Sequence, residues 1–208
     1  MPQPRFATCR KRHCSRCPVL IVCEGGKTEP NYFRRLCVAR GINSANVKVT
    51  PADGSDPVSV VTTARRLLRE DGYDRIYCVF DRDGHANYQQ ALTTIAQSPE
   101  GISRKLIGIT SVPCFEVWVL MHFVFSTAPF TAVGNTSSCD SVLRLLRTHI
   151  PRYAKGYPTT YDDLSEKLDQ AVRHARQLEN HNRNSGSNNP STLVCRASIK
   201  VRIQRQSG

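Results

Sequence analysis

Three acidic residues follow two apolar segments that have the composition of buried strands. Glu24 comes directly after VLIVC (19–23), and Asp81 and Asp83 come directly after the run RIYCVF (75–80). The side chains of Asp81 and Asp83 point in the same direction if the backbone stays extended. Carboxylates gathered at one place repel one another, and a hard cation such as Mg²⁺, which prefers carboxylate and phosphate oxygens, relieves that repulsion. The residue types therefore predict a Mg²⁺ or Mn²⁺ site, and such an ion can activate a water to attack a phosphodiester.

The same acids also have a structural interpretation. Asp and Gly are frequent turn formers, so the stretch DRDG (81–84) taken alone is more typical of a turn than of a catalytic site. Glu24 could pair with Lys27 or Arg82 instead of a metal ion. The combination favours the metal site, because two buried-type strands both end in acids within a topology that brings strand ends together.

Residues next to Glu24 have the properties of a phosphate-binding loop. Gly25 and Gly26 allow the backbone to approach a phosphate closely, and Lys27 could neutralise the charge of that phosphate. Arg82, between the two aspartates, is a further candidate for contact with nucleic acid. In this interpretation the acids hold the metal ion and the surrounding cations hold the polyanion.

The elements that must position these residues alternate between strand and helix. Such alternation with short links indicates a parallel sheet with right-handed crossovers, in which ligands bind at the carboxyl ends of the strands. The sequence therefore predicts an α/β fold with about four largely parallel strands flanked by helices, and it predicts that Glu24 and Asp81 reach the same sheet edge. Thr28 is expected to cap the first helix. Strands are predicted at 19–23, 47–50, 75–80 and 105–110, and a helical remainder at 113–125, 138–149, 160–179 and 190–204.

The composition is strongly basic. The chain has 208 residues and a formal net charge of +12, from 29 Lys and Arg against 17 Asp and Glu. Nucleic acid is the natural partner of such a surface, with an anionic membrane second and plain solubility as the alternative. No apolar run is long enough to span a bilayer and no secretory signal is recognisable, so we expect a cytoplasmic protein with no membrane partner.

The nine cysteines indicate neither a disulfide framework nor a strong zinc site. Their odd number and the absence of a secretory signal argue against disulfides. Cys14 and Cys17 have zinc-knuckle spacing, with Cys9 and His13 nearby, but no second pair of this kind follows. We expect the segment 1–17 to be a flexible basic arm that touches nucleic acid rather than a zinc site.

Four stretches of the sequence, in order, resemble motifs of the RloB family of bacterial proteins: VCEGGKTEPNYF, VFDRD, SVPCFEVWVLMHF and NPST. A strand followed by Glu-Gly, together with a strand followed by Asp-x-Asp, is also similar to the Toprim fold of topoisomerases, primases and overcoming-lysogenization-defect nucleases. The resemblance implies that Glu24, Asp81 and Asp83 bind Mg²⁺ and are the catalytic acids of a nuclease for RNA or DNA. It further implies a role in phage defence beside a partner ATPase, with a Toprim-like core at 18–125 and a helical extension packed on it at 126–208.

Three further residues are candidates for the same site. Glu29 could hold a second metal ion, as a comparable acid does in overcoming-lysogenization-defect nucleases, although a helix dipole also favours an acid in a first turn. Glu116 lies in the apolar stretch PCFEVWVL and could reach the metal cluster or pair with an arginine. Lys155 belongs to a Tyr-x-Lys element that matches the family. It could contact a phosphate, neutralise charge in the transition state as a catalytic residue, or be a solvated surface lysine.

Two functions are open on the sequence alone. The preferred one is a metal-dependent nuclease that acts as the effector of an anti-phage system. The alternative is a non-catalytic nucleic-acid-binding or regulatory subunit, in which the acids form pairs that stabilise the fold. A homodimer is compatible with either function.

Overall fold

The computed structural model of the protein describes residues 18–82 and 84–203, with side chains described up to residue 199. The predicted basic arm at 1–17, with its cysteines, lies outside the described residues. Asp83, one of the three predicted metal ligands, also lies outside them.

Five strands form a single sheet, and four of them are parallel. The strands are β1 (Val19–Cys23), β2 (Val47–Pro51), β3 (Arg75–Asp81), β4 (Leu106–Val112) and β5 (Ser191–Thr192). Their spatial order is β2-β1-β3-β4-β5, and β5 alone runs antiparallel to its neighbour. The predicted α/β class with a largely parallel sheet is therefore confirmed.

Helices cover both faces of this sheet. They are α1 (Thr28–Ala39), α2 (Pro57–Asp71), α3 (Tyr88–Gln97), α4 (Pro99–Ile102), α5 (Glu116–Leu120), α6 (Ser138–His149), α7 (Thr160–Leu164), α8 (Leu168–Ser185) and α9 (Val194–Ile203). A short 3₁₀ turn, Ser165–Lys167, joins α7 to α8. In the part of the chain that the structure describes, no helix combines the length and the apolar character needed to cross a membrane.

The two faces of the sheet bury separate hydrophobic clusters. On one face Ile21 packs in a cluster with Phe33 of α1 and Trp118 of α5. On the other face Leu20 packs in a cluster with Val60 of α2. All five residues of β1 are buried, as expected for a continuous apolar strand in the middle of a parallel sheet. The first residue after such a strand therefore emerges at a rigidly held sheet edge.

The C-terminal part of the chain differs from the prediction. The predicted helix at 190–204 is wrong at its start, because Ser191 and Thr192 form strand β5 and α9 begins at Val194. Pairing continues just past β5, where the N–H of Leu193 donates to the carbonyl of Thr110 at 2.9 Å. A strand of two residues is stabilised by its distant partner and not by a periodic pattern of its own, so the sequence carried no strand signal there.

Two other predicted helices have different bounds in the structure. The helix expected at 113–125 is reduced to α5, followed by turns and irregular chain. The helix expected at 160–179 is divided into α7 and α8 by the 3₁₀ turn. The first prediction extends past the helix that forms, and the second ends at 179, before α8 does at Ser185. Apolar spacing marks a helical segment but does not fix its ends.

Candidate functional site

Glu24 and Asp81 meet at the carboxyl edge of the sheet. β1 and β3 are adjacent, with Cys23 opposite Val79, so the residues that follow emerge side by side. The N–H of Glu24 donates to the carbonyl of Val79 at 2.9 Å. The N–H of Asp81 donates to Oε2 of Glu24 at 2.9 Å. The structure therefore brings these two predicted site residues into direct contact.

The carboxylate of Asp81 is only half satisfied. Its Oδ2 accepts a hydrogen bond from the N–H of Phe115 at 2.9 Å. Its Oδ1 is inaccessible to solvent and has no hydrogen-bond partner among the described residues. Burial, followed by the charges of Glu29 and Glu116, raises the pKa of Asp81 well above its ordinary value. A buried carboxylate oxygen with an open acceptor position suits a cation as its missing partner.

Glu29 lies in the first turn of α1 and is buried against Gly25. It is 6% exposed. A Cβ at position 25 would overlap the carboxylate oxygens of Glu29, so a larger residue there would have to displace the Glu29 side chain. Burial, followed by the charges of Glu116 and Glu24, raises the pKa of Glu29 to about 7. Both interpretations of Glu29 are compatible with this position, since it is in a first turn and also among the other acids.

Glu116 is buried at the start of α5 and is bound by three side chains. The Tyr153 hydroxyl donates to Oε1 at 3.3 Å. The thiol of Cys139 donates to Oε2 at 3.8 Å. The ammonium of Lys155 lies 3.8 Å from Oε2. The alternative in which Glu116 pairs with an arginine is therefore wrong. The cation beside Glu116 is Lys155.

Lys155 faces the acids, and its charge is strengthened there. Partial burial disfavours its ammonium, but the carboxylate of Glu116 and the sulfur of Cys139 outweigh that effect, so the pKa of Lys155 lies above its ordinary value. Its side chain is 51% exposed. A lysine held charged and still accessible is suited to binding an anion.

The loop that carries Lys155 is attached to the start of α1. Gly156 has a φ of +80°, which favours glycine, and its missing Cβ leaves room for the side chain of Lys27. The N–H of Gly156 donates to the Thr28 hydroxyl at 2.7 Å. The prediction that Thr28 caps the helix is wrong, because α1 begins at Thr28 itself and its hydroxyl is bound to Gly156.

These groups line one cleft of about 270 Å³. The lining includes the side chains of Glu29, Asp81, Glu116, Lys27 and Lys155. The glycine pair at 25–26 forms another part of the wall. Acids and lysines thus face the same space, which is the charge pattern needed to hold a cation and a phosphate together.

Of the predicted site residues that the structure describes, Glu24 and Arg82 are not among those that line this cleft, although Glu24 contacts the backbone of Asp81. The guanidinium of Arg82 donates to Oδ1 of Asn188 at 2.9 Å, in an exposed contact. Asp83 is outside the described residues, so its predicted role stays a prediction.

His85 is a functional candidate that the sequence reasoning missed. Its Nε2 lies 2.7 Å from Oε1 of Glu24, and its ring is 34% exposed. Glu24 therefore has a histidine beside one oxygen and the N–H of Asp81 on the other. The available signal was the position of His85 in VFDRDGH, the same motif that supplies the aspartates.

The comparisons with known proteins give one match. Residues 19–197 match the model of the family described as RloB, RloB-like protein. No curated protein and no solved structure matches the chain. The match covers the sheet, the cleft and the start of α9.

Proposed function

This chain belongs to the RloB-like family, and from that premise we propose that it is a Toprim-type nuclease that uses Mg²⁺ or Mn²⁺ to cleave phosphodiester bonds of RNA or DNA. The observation that carries the proposal is the buried Oδ1 of Asp81, which has no hydrogen-bond partner among the described residues. Asp81 lines a cleft that also contains Glu29 and Glu116. These three carboxylates, with Glu24 beside Asp81, are costly to hold in their charged forms together unless a cation joins them.

The residues present fit a hard divalent cation. Carboxylate oxygens are the ligands that Mg²⁺ prefers, and burial and neighbouring carboxylates already disfavour the charged forms of Asp81 and Glu29 by raising their pKa values. Glu24 and Asp81 would hold the ion, with Asp83 as the third ligand by its place in the motif and Glu29 as an additional acid. When bound, the ion supplies an activated water and neutralises charge that develops on the phosphate.

The remaining groups of the cleft bind and orient the substrate. Lys155 and Lys27 would contact the phosphate oxygens, and the glycine pair at 25–26 would allow the backbone to approach them. Glu116 keeps the Lys155 ammonium charged and fixed in place. His85 and the N–H of Asp81 hold the carboxylate of Glu24 in one orientation. In this proposal Lys155 acts in catalysis by neutralising negative charge on the phosphate.

The basic composition suits a polyanion, and it suits RNA and DNA equally. In the cell we propose that the protein is the effector of an anti-phage system that acts beside a partner ATPase. The competing function is a nucleic-acid-binding or regulatory subunit without catalysis. The two functions differ in the role of the cleft acids. A nuclease needs these acids for cleavage, whereas in a non-catalytic subunit they serve only the stability of the fold.

A cleavage assay on purified full-length protein tests the proposal. End-labelled single-stranded RNA, transfer RNA and duplex DNA are incubated with Mg²⁺, with Mn²⁺, or with EDTA. We expect metal-dependent cleavage of at least one substrate. Glu24→Gln and Asp81→Asn should lower the rate by about 100-fold or more, because removing one preorganised electrostatic group typically costs that much. Glu70→Gln is the matched control, since Glu70 is an exposed acid of α2 that pairs with Arg66.

Cells provide the second arm of the test. RNA sequencing and DNA-break mapping after phage infection, with wild type and with Asp81→Asn, should show breaks only with wild type. If the variants cleave at the wild-type rate, the cleft is not the catalytic site. If wild type and Asp81→Asn protect equally from phage and neither produces breaks, the protein is the non-catalytic subunit instead.

A further inference from the structure

A second cluster of potential ligands adjoins the cleft where the β4–α5 junction meets α6, and it shares Glu116 with the cleft. Cys114, Glu116 and Cys139 are all buried, and one ligand atom from each lies within 4.8 Å of the other two. In the part of the chain that the structure describes, no other group of three or more His, Cys, Asp or Glu side chains brings its ligand atoms this close together. Cys139 is held in place by α6, which begins with a capping box between Ser137 and Asp140.

The chemistry of this cluster differs from that of the cleft acids. Two sulfur ligands and one carboxylate select soft or borderline cations such as Zn²⁺ over Mg²⁺. In tetrahedral zinc sites the Zn–S distance of about 2.3 Å places two sulfur ligands about 3.8 Å apart. The Sγ of Cys139 is 3.8 Å from Oε2 of Glu116. Because all three ligand atoms lie within 4.8 Å of one another, they would have to approach by about 1 Å at most to surround an ion.

The charges around the cluster balance when such an ion is bound. Binding requires both thiols as thiolates, so two protons leave as the cation enters. Two thiolates and the Glu116 carboxylate then carry three negative charges against the two positive charges of the ion. The ammonium of Lys155, 3.8 Å from Oε2 of Glu116, neutralises the remaining negative charge. The buried cluster is thus neutral with the ion, as it is without the ion when both thiols are protonated.

We infer that Cys114, Cys139 and Glu116 form a binding site for a thiophilic divalent cation such as Zn²⁺. The bound ion would connect α5 to α6 beside the cleft. It would also fix Glu116, the residue that holds Lys155 at the substrate side. This site does not depend on the proposed nuclease activity, because it is defined by ligand chemistry and can be measured without a substrate.

Cobalt spectroscopy tests the inference on the full-length chain. Co²⁺ bound by thiolates in tetrahedral geometry gives intense visible bands and a sulfur-to-metal charge-transfer band, and Zn²⁺ displaces it. The measurement is made under reducing conditions in a Cys9→Ser/Cys14→Ser/Cys17→Ser background, so that the N-terminal cysteines do not contribute. We expect a single equivalent of Co²⁺ with thiolate bands, released on addition of Zn²⁺. Absence of thiolate bands in this background would overturn the inference by itself, whatever the behaviour of other variants.

Three cysteine variants in the same background identify the ligands. Cys114→Ser and Cys139→Ser should each lose the tetrahedral thiolate bands and weaken Zn²⁺ binding by at least about 100-fold, since each removes a direct ligand. Cys37→Ser is the control, because Cys37 is buried in α1 and is not part of the cluster. Circular dichroism checks that each variant is folded. Bands of wild-type intensity in Cys139→Ser would show that the cluster is only a pair of packed thiols and that the ion binds elsewhere.

Discussion

The backbone N–H of Asp81 donates a hydrogen bond to the Glu24 carboxylate across the ends of two adjacent parallel strands, at 2.9 Å. This bond joins residues that are 57 positions apart in the chain. It orients Glu24 through main-chain geometry, which is more rigid than a contact between two side chains. It also leaves the Asp81 carboxylate free to point elsewhere, toward Phe115 and the cleft.

Asp81→Asn should raise the stability of the metal-free protein and abolish its stabilisation by Mg²⁺. The change removes a buried carboxylate whose charge is opposed by burial, Glu29 and Glu116. In EDTA we expect the free energy of unfolding to rise, because the variant no longer holds a charge that burial and the neighbouring acids oppose. The stabilisation that Mg²⁺ gives to wild type should disappear in the variant. Thermal unfolding with and without Mg²⁺ measures both quantities. A variant that is destabilised and still stabilised by Mg²⁺ would show that Asp81 does not face the ion.

Gly25→Ala should disturb the cleft while Gly26→Ala should not. A Cβ at position 25 would overlap the carboxylate of Glu29, whereas a Cβ at position 26 meets nothing within 4 Å. We expect Gly25→Ala to lower the free energy of unfolding by about 1–3 kcal/mol, the usual cost of overpacking. Gly26→Ala should change it by less than about 0.5 kcal/mol. Urea unfolding of the pair measures the difference, and equal values would show that Glu29 does not pack over Gly25.

Glu29 should make the stability of the metal-free protein fall as the pH rises. The pKa of Glu29 is raised from 4.5 to about 7 in the folded protein. The folded state therefore holds this proton more tightly than the unfolded state. Between pH 4.5 and about 7, the unfolded state binds fewer protons at this residue than the folded state does. The stability contributed by the protonated form is fully present below 4.5 and is lost as the pH rises to about 7. The loss amounts to about 3 kcal/mol.

Glu29→Gln tests this slope. Urea unfolding in EDTA across that pH range should show that the variant lacks the decline assigned to Glu29. Glu70→Gln, which changes an exposed acid, should keep the wild-type slope. A wild-type slope in Glu29→Gln would mean that Glu29 is solvated and titrates normally.

His85 is expected to act by positioning Glu24. His85→Phe keeps a ring of similar size and removes the contact of Nε2 with Oε1 of Glu24. We expect metal affinity and cleavage to fall by about 10–100-fold, as is typical when the partner of a metal ligand is removed. Because His85 is partly exposed, the free energy of unfolding should change by less than about 1 kcal/mol. His85→Gln, which can still donate an N–H, should recover part of the loss. Unchanged Mg²⁺ affinity in His85→Phe would contradict the positioning role.

The sequence by itself determined the class of fold and the position of two acids. A continuous apolar run such as Val19–Cys23 is a local signal, and so is the carboxylate that ends it. Parallel strands place their carboxyl ends together, which is a general rule of the topology, so the meeting of Glu24 and Asp81 could be predicted without coordinates. The long motifs around these strands also indicated the RloB-like family, which the match over 19–197 confirms.

Only the tertiary structure decided which side chains complete the site. His85 beside Glu24, and Tyr153, Cys139 and Lys155 around Glu116, are contacts across loops and helices whose packing has no periodic signature in the sequence. The two-residue strand β5 also depends on a distant partner. Its Thr192 pairs with Ser111 of β4, which is 81 residues earlier in the chain. Local patterns encode how a segment folds. The partners of a buried charge depend on where distant segments come together in the packed core.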